Sequence, residues 1–411
     1  MKKFNKDKYL KKLRFKKYKR YLYIGIPCIL VLLIGIYFAY SKFSVSKEED
    51  VVRTTVGDFI YGDIVVGAYI DGEYSKIIPG KNDGYIVDKI VCDTDASASW
   101  DNNSWGIVLT NLTKRTKCNV YFETKKPSLN ETVTTAMSNN PSMFASDDAD
   151  KNVRYIGANP NNYVYFNCSD YNNQSDSTCE KWRIIGVFNN VTKSDGTKEN
   201  LVKIIRDESI GNHSWDNNSV NDWSTATLQQ NLNSGTYYTT TLKNDTTRNA
   251  IEEVVWNLGG TDNHYSSASN GLASHWYGYE RGTTVYSGRP TKWTGKIGLM
   301  YPSDYGYATS GGTTKDRAAC LAKELLYWDS SEFSDCKGND YLFDANNGQW
   351  TLAPYSAIAR IVFYVYRGGT VTRGSASYPY DAVRPALFLK SNIQVDKGTG
   401  AKSDPYRLKM Q

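Results

Sequence analysis

The stretch EKWRIIGVF, Glu180–Phe188, puts Trp182, Ile184, Ile185, Val187 and Phe188 within seven residues. A short run so rich in β-branched and aromatic residues reads as a strand. Val164–Asn167 before it and Leu201–Arg206 after it read the same way. Two helical patterns follow. Trp223–Leu232 has Leu228 and Leu232 four apart, with Gly235 just beyond. Arg248–Leu258 aligns Ala250, Val254 and Leu258 and stops at Gly259 and Gly260. A third pattern, Arg317–Trp328, aligns Leu321, Leu325 and Trp328 and contains Cys320. Ile297–Tyr301, Trp350–Leu352, Ile361–Tyr366 and Val383–Leu389 are later strand candidates. Strands, then helices, then mostly strands predict an α+β domain over residues 153–411 and not an alternating parallel α/β fold.

Toward the N-terminus the texture changes. Residues 126–152 read as a connector, with a short helix over Leu129–Met137 and the acidic, polar run Ala145–Asn152. Residues 54–125 read as a small all-β module. Its strand candidates are Tyr61–Ile70, Tyr85–Cys92, Trp105–Leu112 and Cys118–Glu123, with Gly, Asp and Asn breaking the runs between them. Cys92, Trp100 and Cys118 echo the Cys…Trp…Cys of immunoglobulin domains at too short a spacing. Residues 41–53 are a short polar linker.

The charge is unevenly placed. Residues 1–22 hold eleven Lys/Arg and one acid, Asp7, a balance of +10 against +6 for the whole chain, which leaves −4 on residues 23–411. The basic balance therefore belongs to the tail, and it gives no argument for nucleic-acid binding by the rest. After the tail, YIGIPCILVLLIGIYFAY, Tyr23–Tyr40, carries no charge over eighteen residues. As a helix it would rise roughly 27 Å, close to a hydrocarbon core of roughly 30 Å. The reading is a transmembrane helix at 23–40 behind a basic cytoplasmic tail, with residues 41–411 extracellular and the bacterial cell membrane as the location. A cleaved signal peptide is the rival, and no small-x-small site follows the apolar run.

Cys28 lies in that run. The other six cysteines group as Cys92 with Cys118, Cys168 with Cys179, and Cys320 with Cys336. Three short local disulfide loops are the simplest arrangement, although six cysteines allow fifteen connectivities. Zinc is the rival, but no C-x-x-C occurs and the histidines do not fall at ligand spacings beside the cysteines.

The last third carries a resemblance. WTLAP (Trp350–Pro354), FYVYRGGTV (Phe363–Val371) and VRPALFL (Val383–Leu389) look like an uncharacterised domain family on exported proteins of Gram-positive bacteria. RYIGANPNNYVYFN (Arg154–Asn167), EKWRIIGVF and GKIGLMYPSDYGYA (Gly295–Ala308) agree with it. The β module, with CDTDASASWDNNSW and TKCNVYF, resembles a small repeat module that accompanies such proteins. The motif order is similar to C-type-lectin-like domains and their formylglycine-generating-enzyme relatives. That likeness implies a fold and leaves the activity open.

A search for chemistry narrows the reading. His213, His264 and His275 are the only imidazoles, and no G-x-S-x-G, H-E-x-x-H or P-loop is present. Formylglycine-generating enzymes use closely spaced reactive cysteines, which Cys320 and Cys336 do not match. Calcium-dependent lectins use E-P-N or Q-P-D, and neither occurs. Asp93, Asp95, Asp216 and Asp222 read as turn residues, with a cation or sugar role kept open at Asp216. No catalytic set, metal or cofactor is expected. The aromatic residues remain: thirty-two tyrosines and ten tryptophans. In the loop-like stretch HWYGYERGTTVYSGRPTKW, His275–Trp293, the residues Trp276, Tyr277, Tyr279, Arg281 and Trp293 are the candidate binding set, since rings with polar tips suit sugar stacking or protein contacts. SWDNNS occurs at Ser99–Ser104 and again at Ser214–Ser219 with flanks that do not align, and reads as two similar turns. The expected function is a membrane-anchored surface protein that binds a glycan, the cell wall or another protein. An envelope enzyme related to formylglycine-generating enzymes and a purely structural envelope component are the alternatives.

Overall fold

In the computed structural model, which describes residues 52–54, 64–112, 114–267 and 270–410, EKWRIIGVF is the first part of a thirteen-residue strand, Glu180–Thr192. Trp182 through Phe188 are all buried. The run is continuous and not alternating because both faces of this strand are covered. It pairs antiparallel with Lys198–Arg206, Tyr163–Phe166 and Val153–Tyr155. The sheet continues outward from Lys198–Arg206 to Ala386–Leu389 and Ile297–Gly298, and from Val153–Tyr155 to Phe144–Ala145, for seven strands in all. The register slips between Ile184 and Gly186, and again between Phe188 and Val191. At the first slip a Cβ on residue 186 would lie 2.1 Å from the Val153 carbonyl oxygen, so the close approach of the two strands needs glycine there. After the second slip the pairing resumes at Val191 with Glu199 and Thr192 with Lys198, so Asn189 and Asn190 form a bulge in the strand.

Elements from the rest of residues 126–411 pack around this sheet. The helix Leu129–Asn139 starts at a capping box. Ser128 Oγ accepts from the Glu131 amide at 3.1 Å, and Glu131 Oε2 accepts from the Ser128 amide at 2.7 Å. A three-stranded antiparallel sheet joins Gln349–Pro354, Ile361–Val365 and Val371–Ser375. Arg384 of VRPAL is buried, donating to the carbonyl oxygens of Arg206 and Leu342 and to Gln349 Oε1.

The described residues up to Lys125 cluster as a separate unit. Its four-stranded sheet runs Glu73–Ser75, Ile64–Ile70, Thr116–Thr124, Tyr85–Cys92. A three-stranded sheet runs Val52–Thr54, Gly106–Thr110, Ser97–Asp101, so the end of the expected 41–53 linker belongs to a strand. Trp100 stands edge-on to Trp105 and to Phe122, at 5.4 and 5.3 Å. Three disulfides are present among the described residues: Cys92–Cys118 in this unit, and Cys168–Cys179 and Cys320–Cys336 in the other.

Three expectations are corrected. Strand accounts for 35% of the described residues and helix for 20%, so they are mostly β and not α+β. Part of the reason is local. The expected helix Arg248–Leu258 is a helix only over Asp245–Ala250, and Val254–Asn257 is a strand paired with Lys292–Gly295. Val254, Trp256 and Leu258 are buried alternately, which is the period of a strand, and Ala250 supplied the misleading fourth position. The pattern over Arg317–Trp328 is likewise cut to a helix at Arg317–Leu321 and one 3-10 turn at Leu325–Tyr327. The transmembrane helix expected at 23–40, with its tail and Cys28, lies outside the described residues. Among the described residues no helix is long and apolar enough to cross a membrane. The longest, Leu129–Asn139, has eleven residues, roughly 16 Å of rise against a core of roughly 30 Å. The described residues thus stand against the expected single-pass placement, with a cytoplasmic N-terminus and residues 41–411 extracellular, only in that they hold no spanning helix.

Candidate functional site

The second register slip in Glu180–Thr192 leaves Phe188–Thr192 at the rim of a cavity of about 220 Å³. Lys203, from the neighbouring strand, forms part of its floor. Trp256 and Asn257 come from one strand of the paired ribbon and Lys292 from the other. Tyr277 and Arg281 come from the helix Ala273–Arg281, and Asp150 and Asn152 from the end of the acidic connector.

Beneath the cavity lies a buried ionic network. Arg154 donates to Asp148 at 2.7 Å and to Asp304 at 2.8 Å, and the Lys203 ammonium donates to the other Asp304 oxygen at 2.5 Å. All four side chains are at most 2% exposed. Burial pulls the Lys203 pKa down from its ordinary value. Burial alone would raise the Asp304 carboxyl, but Lys203 and Arg154 hold it down at about 2. The Lys203 ammonium is also ringed by Tyr301, Trp256, Phe188 and Phe388, with centroids 4.5, 5.3, 5.5 and 5.7 Å away. Lys203 therefore acts as a fixed post that carries the apolar floor. Beside it, Glu280 is wholly buried and accepts from the Ser303 amide at 2.8 Å and the Ser303 hydroxyl at 2.5 Å. Burial pushes its carboxyl up to about 7.

The rim is polar. Tyr277 Oη donates to Asp150 Oδ2 at 2.6 Å and accepts from Asn152 Nδ2 at 2.8 Å. Asn152 Oδ1 accepts from the Asn189 amide at 2.7 Å. These groups are engaged with one another. The side chains of Asn190, Thr192, Asn257 and Lys292, which also line the cavity, have no partner among the described residues. The cavity thus offers free donors and acceptors above a wall of aromatic rings.

The five residues singled out in the sequence go to different places. Tyr277 and Arg281 line the cavity. Trp276 is fully buried and packs edge-on against Phe363 at 4.6 Å. Tyr279 is half-buried, and its hydroxyl donates to the Asn270 carbonyl oxygen at 2.8 Å. Trp293 is half-buried opposite Trp256 in the ribbon and stands 6.3 Å from Trp223. At Asp216, where a cation role was kept open, the two carboxylate oxygens accept from the Val220 and Thr227 amides at 2.9 and 3.0 Å, closing a turn at the helix start. The first SWDNNS copy does similar work: Asp101 accepts from the Asn103 amide at 2.8 Å and the Ser104 hydroxyl at 2.6 Å. Among the described residues no group of three His, Cys, Asp or Glu is placed to hold a metal.

Sequence reasoning missed Arg154, Lys203, Asp304, Asn257 and Lys292. A signal existed for Lys203, which interrupts the otherwise apolar strand LVKIIR, Leu201–Arg206. A charge inside such a run is expected to be paired or functional. No family model, curated protein or solved structure matches this chain.

Proposed function

We propose that residues 126–411 form a glycan-binding domain whose cavity seats one sugar unit. The observation that carries this reading is the convergence of unpartnered Asn190, Thr192, Asn257 and Lys292 side chains on a cavity walled by Trp256, Tyr277 and Tyr301. Drug-sized ligands occupy pockets of about 300–1,000 Å³, so the cavity of about 220 Å³ suits a single small polar unit. Aromatic faces receive the apolar side of a sugar ring, and amides and hydroxyls receive its hydroxyl groups. Arg281 at the rim is paired with Asp150 at 3.7 Å and with Glu280 at 3.3 Å, whereas Lys292 has no such partner among the described residues, and its free charge favours a sugar that bears a carboxylate. The enzyme alternative needed a free thiol at Cys320 or Cys336, and these two sulfurs are joined.

The test is a glycan array and a cell-wall pull-down with the purified protein. Retention on a carboxylate-bearing glycan, reduced by Asn257→Ala and by Lys292→Ala, is the expected result. Retention on no glycan and no wall fraction removes the reading.

A further inference from the structure

The cavity leaves another group of aromatic residues unused. Tyr378 and Tyr380, in the loop SYPYD at Ser377–Asp381, are 54% and 66% exposed, with ring centroids 5.1 Å apart at 71°. Tyr366 is 39% exposed and stands 6.4 Å from Tyr364 at 84°. Tyr364 rests on buried Trp350 at 5.6 Å. Burial pushes the Tyr364 hydroxyl up to about 12, and Asp381, Tyr366 and Tyr378 add to that shift. Asp381 sits against the Tyr364 ring: a Cβ on residue 348 would meet Asp381 Oδ1 at 2.1 Å and Tyr364 Cδ2 at 3.2 Å, and Gly348 leaves that space to them.

The Asp381 carboxylate has no hydrogen bond or ion pair among the described residues. Burial alone pushes it up to about 6. Tyrosine faces are negative, so exposed phenol faces beside an uncompensated carboxylate make a site that favours positive charge. Charge complementarity asks for a cation there. A hard metal ion would need several oxygen ligands where one carboxylate stands. A neutral sugar would use the rings and leave the charge bare. A large, weakly hydrated organic cation satisfies both. Arg367 already holds its guanidinium 5.7 Å from the Tyr366 centroid, so that ring accepts a cation in the unliganded protein.

We propose that Tyr364, Tyr366, Tyr378, Tyr380 and Asp381 form a second binding site, sharing no residue with the cavity, for an organic ammonium group. The test is a calorimetric titration of the full chain with choline chloride. Dimethylbutanol, the uncharged isostere, and sodium chloride of matched ionic strength are the controls. Choline is expected to bind and the controls are not. Asp381→Asn and the double variant Tyr378→Ala with Tyr380→Ala are each expected to weaken choline at least about tenfold. The tyrosine double variant keeps the melting temperature, since Tyr378 and Tyr380 are exposed, and Asp381→Asn keeps it or raises it above about pH 6, where burial disfavours the ionised carboxyl. Failure of choline to bind, equal binding of dimethylbutanol, or unchanged choline affinity in Asp381→Asn would each overturn the proposal. None of these outcomes bears on the cavity, whose residues are untouched.

Discussion

The Arg281 guanidinium lies 3.3 Å from the centroid of the Tyr277 ring, one helical turn away, and donates to the Tyr277 carbonyl oxygen at 3.2 Å. The pair brings a cation, a ring face and a hydroxyl to one edge of the cavity on a single helix, where spacing of four residues sets their approach.

Tyr277→Phe keeps the ring under Arg281 and removes the bonds to Asp150 and Asn152. Two hydrogen bonds at about 1 kcal/mol each predict a loss of roughly 1–2 kcal/mol in stability, read as a lower melting temperature. Retention on a bound glycan should fall as well. Arg281→Ala should reduce retention further, because it removes the cation.

Glu280 predicts a pH dependence. Its folded-state pKa of about 7 lies above the ordinary 4.5. Between those values the native state binds more protons than the unfolded state, so stability is fully present below 4.5 and falls as pH rises toward about 7. Glu280→Gln should flatten that slope. Melting curves across this pH range, with an unchanged slope in the variant, would show that another group controls it.

Lys203→Met removes a cation from a pair that has no access to water. Breaking a buried pair by deleting one partner costs about 3–5 kcal/mol, measurable by urea unfolding. Asp304 works in the opposite pH direction from Glu280. Its depressed carboxyl gives stability present above the ordinary carboxylate range and lost as pH falls through about 2.

Cys168→Ser with Cys179→Ser opens a loop with a sequence separation of 11. The chain-entropy relation predicts a loss of about 3 kcal/mol. Reducing agent should destabilise the wild type by a further amount that the double variant lacks.

Gly186→Ala tests the register slip. A methyl group 2.1 Å from the Val153 carbonyl oxygen forces the two strands apart. Overpacking of this kind costs about 1–3 kcal/mol, and hydrogen exchange should quicken at Val153–Tyr155 before it changes in Lys198–Arg206.

Much of the local structure was legible. Trp182–Phe188 reads as a strand because its residue types favour one and its length is too short for a helix. The SWDNNS turns read as turns because Asp and Asn side chains bond the backbone a few residues on, whatever the fold. Arg248–Leu258 was misread because apolar residues spaced by four satisfy a helix and, in part, a strand. Only the partner segment at Lys292–Gly295 decides between them, and thirty-odd residues of intervening chain hide it from a local window.

Local residue types determined the identity of the main strands, while the stretch that reads as a loop over His275–Trp293 begins in the helix Ala273–Arg281 that pairs Tyr277 with Arg281. Tertiary structure alone decided that Trp276, in the same aromatic segment, is core, and that Tyr277 opens onto a cavity. It also joined Asp148, Arg154, Lys203 and Asp304 into one network and gathered Tyr364, Tyr366, Tyr378, Tyr380 and Asp381 on one surface. The physical reason is the same in each case. A side chain's burial and charge environment depend on which distant segments pack against it, and that packing is a property of the whole chain, not of any window within it.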